Sequence, residues 1–542
     1  MKTGEPAVEA VEVAGSAGGG ASEEDGGAPP EPAVVAGESA DKLNRKQIRG
    51  SGLFLAGRGL STGLKFVAEL LIVRHLAVST YGSWTWALAA VVLLQSFSTM
   101  GLTRAVPRFV ALHLEREERD ELFGVLAFVL GSLLLAGLGV VTAFYAFPEL
   151  VATLVGASPG QSLDVLFIVI FLVPVEGVGN FFTQVCATFG NSRAIFVRRY
   201  VLHPGLRLVV ALVLVLLDAD VRLLAYGYVL SSLVGVLYYS LSVYADLRRH
   251  GLLSGDFRFD IRLPIKRVLS YTVPVMGADW FRTLMKTPAP LLLGYFSDMS
   301  AVALYQVVIP LVGLNTQAAQ SFVMLFEPSA SRVLARNDHE GLEQLYWRSA
   351  VWVALLSFPG FAVSFLMAEP VTSLLYGERY VAAAPILSLL AVGTFIDSAV
   401  GFNDATLRVA GKVRWLMGVN AVGATLNVVL NLLLIPRMGA LGAGIATGTS
   451  MLIYALLKQI CLWRATGVRA LHPGYWRPYG LIAGVCLALV VIRVLWPRDL
   501  WVLLPTLLLS LVIVGLLARK TLSISDMFPE LARWPLLQRL LG

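Results

Sequence analysis

Two sets of ionisable side chains stand at helical spacing inside stretches that are otherwise apolar. Arg58, Lys65 and Glu69 are seven and four residues apart; Asp279, Arg282 and Lys286 are three and four apart. These spacings put each set on one face of a helix. A charge held in hydrocarbon is strongly disfavoured, so such residues face a water-filled path or a partner. With a rise of about 1.5 Å per residue, Lys65 lies roughly 20 Å from the start of its helix, too deep to reach an interface. Because the cations outnumber the acids, Arg58, Lys65, Arg282 and Lys286 are candidates to bind an anion such as a phosphate or diphosphate. The alternative is internal pairing, of Lys65 with Glu69 and of Arg282 with Asp279.

Three further acids, Glu176, Asp397 and Asp404, fall in mid-stretch. With Glu69 and Asp279 they are candidates either to titrate and couple to protons or sodium, or to act as fixed counter-ions for the basic residues. Asn420, Asn427 and Asn431 share one helix face and suit interhelical hydrogen bonding. Gly442, Gly444 and Gly448 read as close-packing positions, because no strand precedes them to form a nucleotide loop. There is no GxxxxGK[ST] loop, so ATP hydrolysis is not expected. The six histidines show no metal-ligand spacing, and no metal or cofactor is expected. Cys186, Cys461 and Cys486 read as small apolar fillers.

The elements that must position these residues follow from composition. Of 542 residues 56% are hydrophobic and 15% charged, with mean hydropathy +0.72. A soluble domain is about a quarter charged, so a conventional soluble enzyme is excluded. Three cysteines cannot make a disulfide framework. From residue 50 onward, apolar stretches able to cross about 30 Å of hydrocarbon follow one another. Fourteen are expected: about 51–73, 82–111, 122–147, 163–188, 195–217, 222–245, 268–296, 301–326, 346–368, 382–407, 415–436, 440–463, 477–496 and 500–518. The fold class is therefore an all-α polytopic membrane protein.

Charge tests that count. With the N-terminus cytoplasmic, 28 basic residues, Arg198 among them, fall in one set of loops and span ends and five (Arg74, Arg222, Arg379, Arg437, Arg498) in the other. That bias favours an inner, cytoplasmic-membrane protein with both termini inside. Tyr81, Trp84, Trp496 and Trp501 are expected at the outer interface. Residues 1–44 form an acidic tail with no aromatic residue, expected to be disordered. Residues 520–542 suit an amphipathic helix on the inner surface. The basic body and apolar spans point to a membrane rather than a nucleic acid.

A shift of 221 residues superposes Lys65 on Lys286, Pro107 on Pro328, Gly156 on Gly377, Glu176 on Asp397, Gly190 on Gly411, Arg193 on Arg414 and Gly227 on Gly448. Six spans per copy give both copies the same topology, related by an axis along the membrane normal. The expected organisation is an N-terminal lobe over 45–250, a C-terminal lobe over 251–464, and two extra helices over 465–519.

Several segments resemble one family. Arg74-His75-Leu76-Ala77-Val78-Ser79-Thr80-Tyr81-Gly82 is similar to the R-x-L-x-x-x-x-Y-G segment of bacterial and archaeal polysaccharide flippases. Gly101-Leu102 through Val106-Pro107-Arg108 resembles the close of their second helix. Asn427 through Asn431, followed by Leu434-Ile435-Pro436-Arg437-Met438-Gly439-Ala440-Leu441-Gly442-Ala443, resembles their N-x-x-x-N-x-x-L-I-P-x-x-G-x-x-G-A segment. The chain over about 45–520 is thus similar to the polysaccharide transporter (O-antigen flippase) branch of the multidrug/oligosaccharidyl-lipid/polysaccharide exporter superfamily. The resemblance implies a V-shaped pair of six-helix lobes and a substrate of oligosaccharide linked through diphosphate to a polyprenol. It also implies that Arg58, Lys65, Arg282 and Lys286 hold the diphosphate. Membrane lipids and glycan-assembly proteins are the other expected partners.

The leading expectation is a flippase, not an enzyme, working by alternating access. A cation-coupled small-molecule exporter and a lipid II flippase are the alternatives. The short outer loops leave no room for a glycosyltransferase domain.

Overall fold

In lipid a backbone must satisfy its own hydrogen bonds, so a chain this apolar forms helices. The computed structural model describes residues 57–155, 159–253, 265–469, 472, 475–495 and 500–521, and no strand occurs among them. The acidic tail, the first turns of helix one, Trp496 and the C-terminal amphipathic stretch lie outside the described residues. Among the described residues nine helices are long and apolar enough to cross a membrane, or ten if one bent pair is a single span. Fourteen crossings remains the reading of the sequence.

The first repeat begins with α1 (57–75), α2 (Val78–Thr99) and α3 (Ala105–Glu115). The bend of 56° between α2 and α3 is made by Met100 and Gly101, both at positive φ. Next come α4 (Arg119–Ala146), α5 (Pro148–Val155), α6 (Pro159–Val169) and α7 (Leu172–Thr188). The short α8 (Ser192–Phe196) runs through a π-helical turn, Val197–Leu202, into α9 (His203–Leu216), and α10 (Val221–Arg249) closes the repeat.

The second repeat comprises α11 (Ile265–Leu284), α12 (Pro288–Phe296), α13 (Met299–Gln306), α14 (Ile309–Ala335), α15 (His339–Leu366), α16 (Ala368–Tyr376), α17 (Ala384–Ala399), α18 (Asn403–Val409) and α19 (Val413–Thr466). The extra pair is α20 (Trp476–Leu495) and α21 (Leu500–Thr521), which pack on α15. The duplication is visible in backbone geometry. Gly190 and Gly411, 221 residues apart, both take φ +70 just beyond a helix end. Glu118 and Asp338 are the N-cap residues of the equivalent helices α4 and α15.

The 54-residue α19 is a hairpin. Gly439, at φ 55 and ψ −132, reverses the chain, a conformation open to glycine. Asn427 Nδ2 donates to Ser450 Oγ at 2.7 Å and Tyr454 Oη to Asn420 Oδ1 at 2.6 Å, pairing the two arms antiparallel. Asn431 Nδ2 donates back to the Asn427 carbonyl at 2.8 Å. The asparagine face therefore does hold helices together, and Gly444 and Gly448 let α17 approach the second arm.

One continuous buried cluster joins the two repeats at the end that carries Arg74 and Arg379. It runs from Ile72, Tyr81 and Trp84 through Leu293, Met299 and Val302 to Tyr380 and Leu387. There a Cβ on Gly82 would overlap the Met299 carbonyl, so only glycine permits this contact between repeats. At the opposite end the cores part. One gathers around Phe109, Val125 and Tyr239, the other around Tyr346, Trp347 and Phe402.

Tyr81 and Trp84 correct an expectation. Each is 1% exposed: Tyr81 bonds Glu69, and the Trp84 ring meets Tyr228 edge-on at 4.7 Å. They serve the core, whereas Trp501 is 90% exposed. Arg198, counted with the loop cations, is likewise buried inside the first repeat.

Candidate functional site

Where the two cores part, a polar cavity of about 630 Å³ lies between the first repeat and α11. The face of α2 that lines it carries Gln95, Ser96 and Thr99, with Thr103 and Arg104 following at the bend. From α7 come Asn180 and Gln184, four residues apart and so on one face. The second repeat supplies Tyr271, Arg282 and Thr283 from α11. Trp280 Nε1 donates to the Ser96 carbonyl at 3.1 Å, and the Ser96 and Thr283 hydroxyls are 3.0 Å apart. Below them Arg108 lies 4.5 Å from the Tyr271 ring centre. These contacts seat α11, which belongs to the second repeat, against α2 and α3 of the first. The cavity thus offers two guanidinium groups, three carboxamides and several hydroxyls, the donors and acceptors that suit a phosphorylated, hydroxyl-rich ligand.

Of the four cations expected to bind an anion, only Arg282 lines this cavity. Lys286 is exposed one turn beyond it. Lys65 is exposed on α1, and the charges acting on it are those of Arg207 and Arg199. Arg58 is half-buried and engaged within the protein. Among the described residues no ion pair joins Lys65 to Glu69; the Glu69 carboxylate instead accepts from Tyr81 Oη at 2.5 Å. The Asp279 side chain lies outside the described residues.

The matched acids Glu176 and Asp397 each lie within ion-pair distance of basic side chains. Glu176 Oε1 accepts from Ser232 Oγ at 2.7 Å and lies 3.3 Å from His203 Nε2, while Arg198 and Arg207 each come within 3.7 Å of the carboxylate. The π-helical turn places Arg198 here, its guanidinium filling the space left by Gly179 and Gly235 and stacking over Tyr239. In the second repeat Lys458 Nζ donates to Asp397 at 2.7 Å and lies 3.7 Å from Asp404. The first hub holds an excess of cations and the second an excess of acids.

Sequence reasoning missed Arg104, Gln95, Asn180 and Gln184 as cavity residues. Polar residues at three- and four-residue spacing in apolar helices were the available signal. It also missed a cluster between α3 and α4, where His113 Nδ1 lies 2.7 Å from Glu118 and 3.3 Å from Glu121. The three could surround a cation, but as they stand they pair the end of one helix with the start of the next.

Residues 71–385 match the family described as "Polysaccharide biosynthesis protein". The chain belongs to this family. Its fold is that of a solved flippase and of solved transporters. The structure titled "Lipid II flippase MurJ, inward closed conformation" matches with TM-score 0.68 at 14% identity, covering 89% of this chain and all of that one. An inward-facing multidrug resistance MATE transporter of the MOP superfamily matches with TM-score 0.61 at 15% identity, over 74% of this chain and 95% of its own. Among curated relatives, the succinoglycan biosynthesis transport protein ExoT of Rhizobium meliloti is 25% identical over 67% of this chain and 70% of its own. The probable flippase AglR of Haloferax volcanii is 23% identical over 79% and 85%. With its long apolar helices and these relatives, the chain is a multi-pass membrane protein of the flippase or transporter kind.

Proposed function

We propose that the protein flips an oligosaccharide linked through diphosphate to a polyprenol, from the cytoplasmic to the outer leaflet of the cell membrane, with both termini cytoplasmic. The observation that carries this reading is the cavity between the repeats, which Arg104 of the first and Arg282 of the second line together with carboxamides and hydroxyls. Two guanidinium groups on the wall of one cavity suit a diphosphate, since each can bind a phosphate group in bidentate fashion. Carboxamides and hydroxyls suit sugar, while the isoprenoid chain needs only to remain in lipid. The names of the relatives, among them a probable low-salt glycan biosynthesis flippase, support the same substrate class.

In this reading the repeats rock about the core they share at the Arg74 end, alternately opening the cavity to either side. No cofactor takes part. A proton or sodium gradient, or the membrane potential acting on the cationic cavity, drives the cycle.

Native mass spectrometry of the purified protein tests it, wild type beside Arg104→Ala/Arg282→Ala. A polyprenyl-diphosphate glycan on wild type and absent from the variant is the expected result. Equal binding by both would overturn the site. Drug resistance on overexpression without bound glycolipid would turn the reading to a small-molecule exporter.

A further inference from the structure

We infer that the groove between the two arms of the α19 hairpin binds an anionic phospholipid of the inner leaflet, with its phosphate on Arg414. The groove encloses about 350 Å³ and is lined by Arg414, Trp415, Gly418, Val419, Val422 and Leu457. Its walls come from the hairpin alone, so it is separate from the polar cavity and does not depend on what that cavity carries.

The lining has the polarity of a lipid. Arg414 is exposed at one end and has no acidic partner among the described residues. Arg408, six residues earlier, is by contrast tied to Glu327 at 2.7 Å. The rest of the lining is apolar. Trp415 in the first turn and Trp463 near the end of the second arm are 49% and 51% exposed. Half-exposed indoles beside Arg414 and Arg464 mark headgroup level. From Arg414 to Val422 the helix advances about 12 Å, close to the roughly 15 Å of one leaflet's hydrocarbon. A cation at headgroup height above an apolar wall of that length fits one phosphate and the upper part of one chain.

The floor is open. Gly418 is exposed, and a Cβ built there meets nothing within 4 Å. The groove is therefore not space that another part of the protein fills. A basic residue near a membrane surface favours anionic lipid by about fivefold, so an anionic headgroup is preferred over a zwitterionic one.

The full-length protein in nanodiscs of phosphatidylcholine doped with phosphatidylglycerol, and in a second set doped equally with phosphatidylglycerol and undecaprenyl phosphate, provides the test. Native mass spectrometry reads the lipid retained as collision energy rises, for wild type, Gly418→Leu and Arg414→Gln. Wild type is expected to retain phosphatidylglycerol about fivefold over phosphatidylcholine, and both variants to bring that ratio near one with an unchanged melting temperature. Should Gly418→Leu lower the melting temperature, Arg414→Gln alone decides. Equal retention by wild type and Arg414→Gln overturns the inference. So does a preference for undecaprenyl phosphate over phosphatidylglycerol, which would give the groove to an isoprenoid chain.

Discussion

Arg74 and Arg379 each close the helix end beside the other. The Arg74 guanidinium donates to the Leu374 and Leu375 carbonyls at 2.6 and 2.7 Å, at the end of α16. Arg379 donates to the Val73 and Arg74 carbonyls at 2.7 and 2.6 Å, at the end of α1. The last carbonyls of a helix lack partners and carry its negative pole, so a cation there is doubly favoured. Because one arginine belongs to each repeat, the clasp ties the repeats together. Tyr81 and Tyr380 meet edge-on beside it, with ring centres 6.4 Å apart.

Breaking the clasp should loosen that end without unfolding the chain. Arg74→Ala and Arg379→Ala are each expected to lose on the order of 1 kcal/mol, since the groups are solvent-exposed. The double variant should lose less than the sum, because each arginine holds the segment that positions the other. Hydrogen exchange of residues 73–81 and 376–383 is the measurement. Faster exchange confined to these two segments is expected; unchanged protection would show that the shared core alone closes this end.

Arg282 and Lys286 offer a second test, because the structure separates two residues that sequence treats alike. Arg282 lines the cavity and Lys286 does not. In complementation of a flippase-deficient strain, Arg282→Ala should lower function at least about tenfold, roughly 1.4 kcal/mol of lost anion contact. Lys286→Ala should stay within about threefold. Equal loss from both would extend the anion path beyond the cavity.

The buried hub of the second repeat makes a sharper prediction about stability. Lys458 is 4% exposed and sits between Asp397 and Asp404 over the Tyr454 ring. Lys458→Met removes the only cation bonded to both carboxylates among the described residues and should destabilise by about 1–3 kcal/mol, because the two carboxylates it leaves are each more than a third exposed and water screens them in part. Asp397→Asn in the same chain should restore part of that loss. Thermal unfolding in detergent reads both. If Lys458→Met melts like wild type, the carboxylates have another cation.

How far the sequence foretold these arrangements depended on how many elements each needs. The helices, the duplication and the asparagine face of α19 are local patterns, and Gly190 and Gly411 repeat even in backbone angle. For Glu176 and Asp397 the sequence offers both a counter-ion and a titrating role, because an acid in an apolar helix does not name its partner. Arg198 looked like a loop cation because nothing local announces a π-helical turn that carries it inward. Tyr81 and Trp84 looked like interface anchors because a helix apolar on every side does not distinguish lipid from a second repeat. The cavity draws on α2, α7 and α11, whose registers only packing sets.

Gly82 shows how narrowly that packing is drawn, and it carries the last prediction. A Cβ there would overlap the backbone carbonyl of Met299, which cannot turn aside as a flexible side chain could. The contact lies in the core shared by both repeats, near Trp86, whose indole Nε1 donates to the Leu291 carbonyl at 3.4 Å. Gly82→Ala must therefore push α2 from α13. Overpacking of this kind destabilises by about 1–3 kcal/mol, although alanine is the better helix former by about 1 kcal/mol. A net loss with weakened protection of both α2 and α13 is expected in thermal unfolding and hydrogen exchange. Gly63→Ala, on the exposed face of α1 where a Cβ meets nothing within 4 Å, is the control and should be neutral or stabilising. If Gly82→Ala behaved like Gly63→Ala, the two repeats would not be in backbone contact at this point.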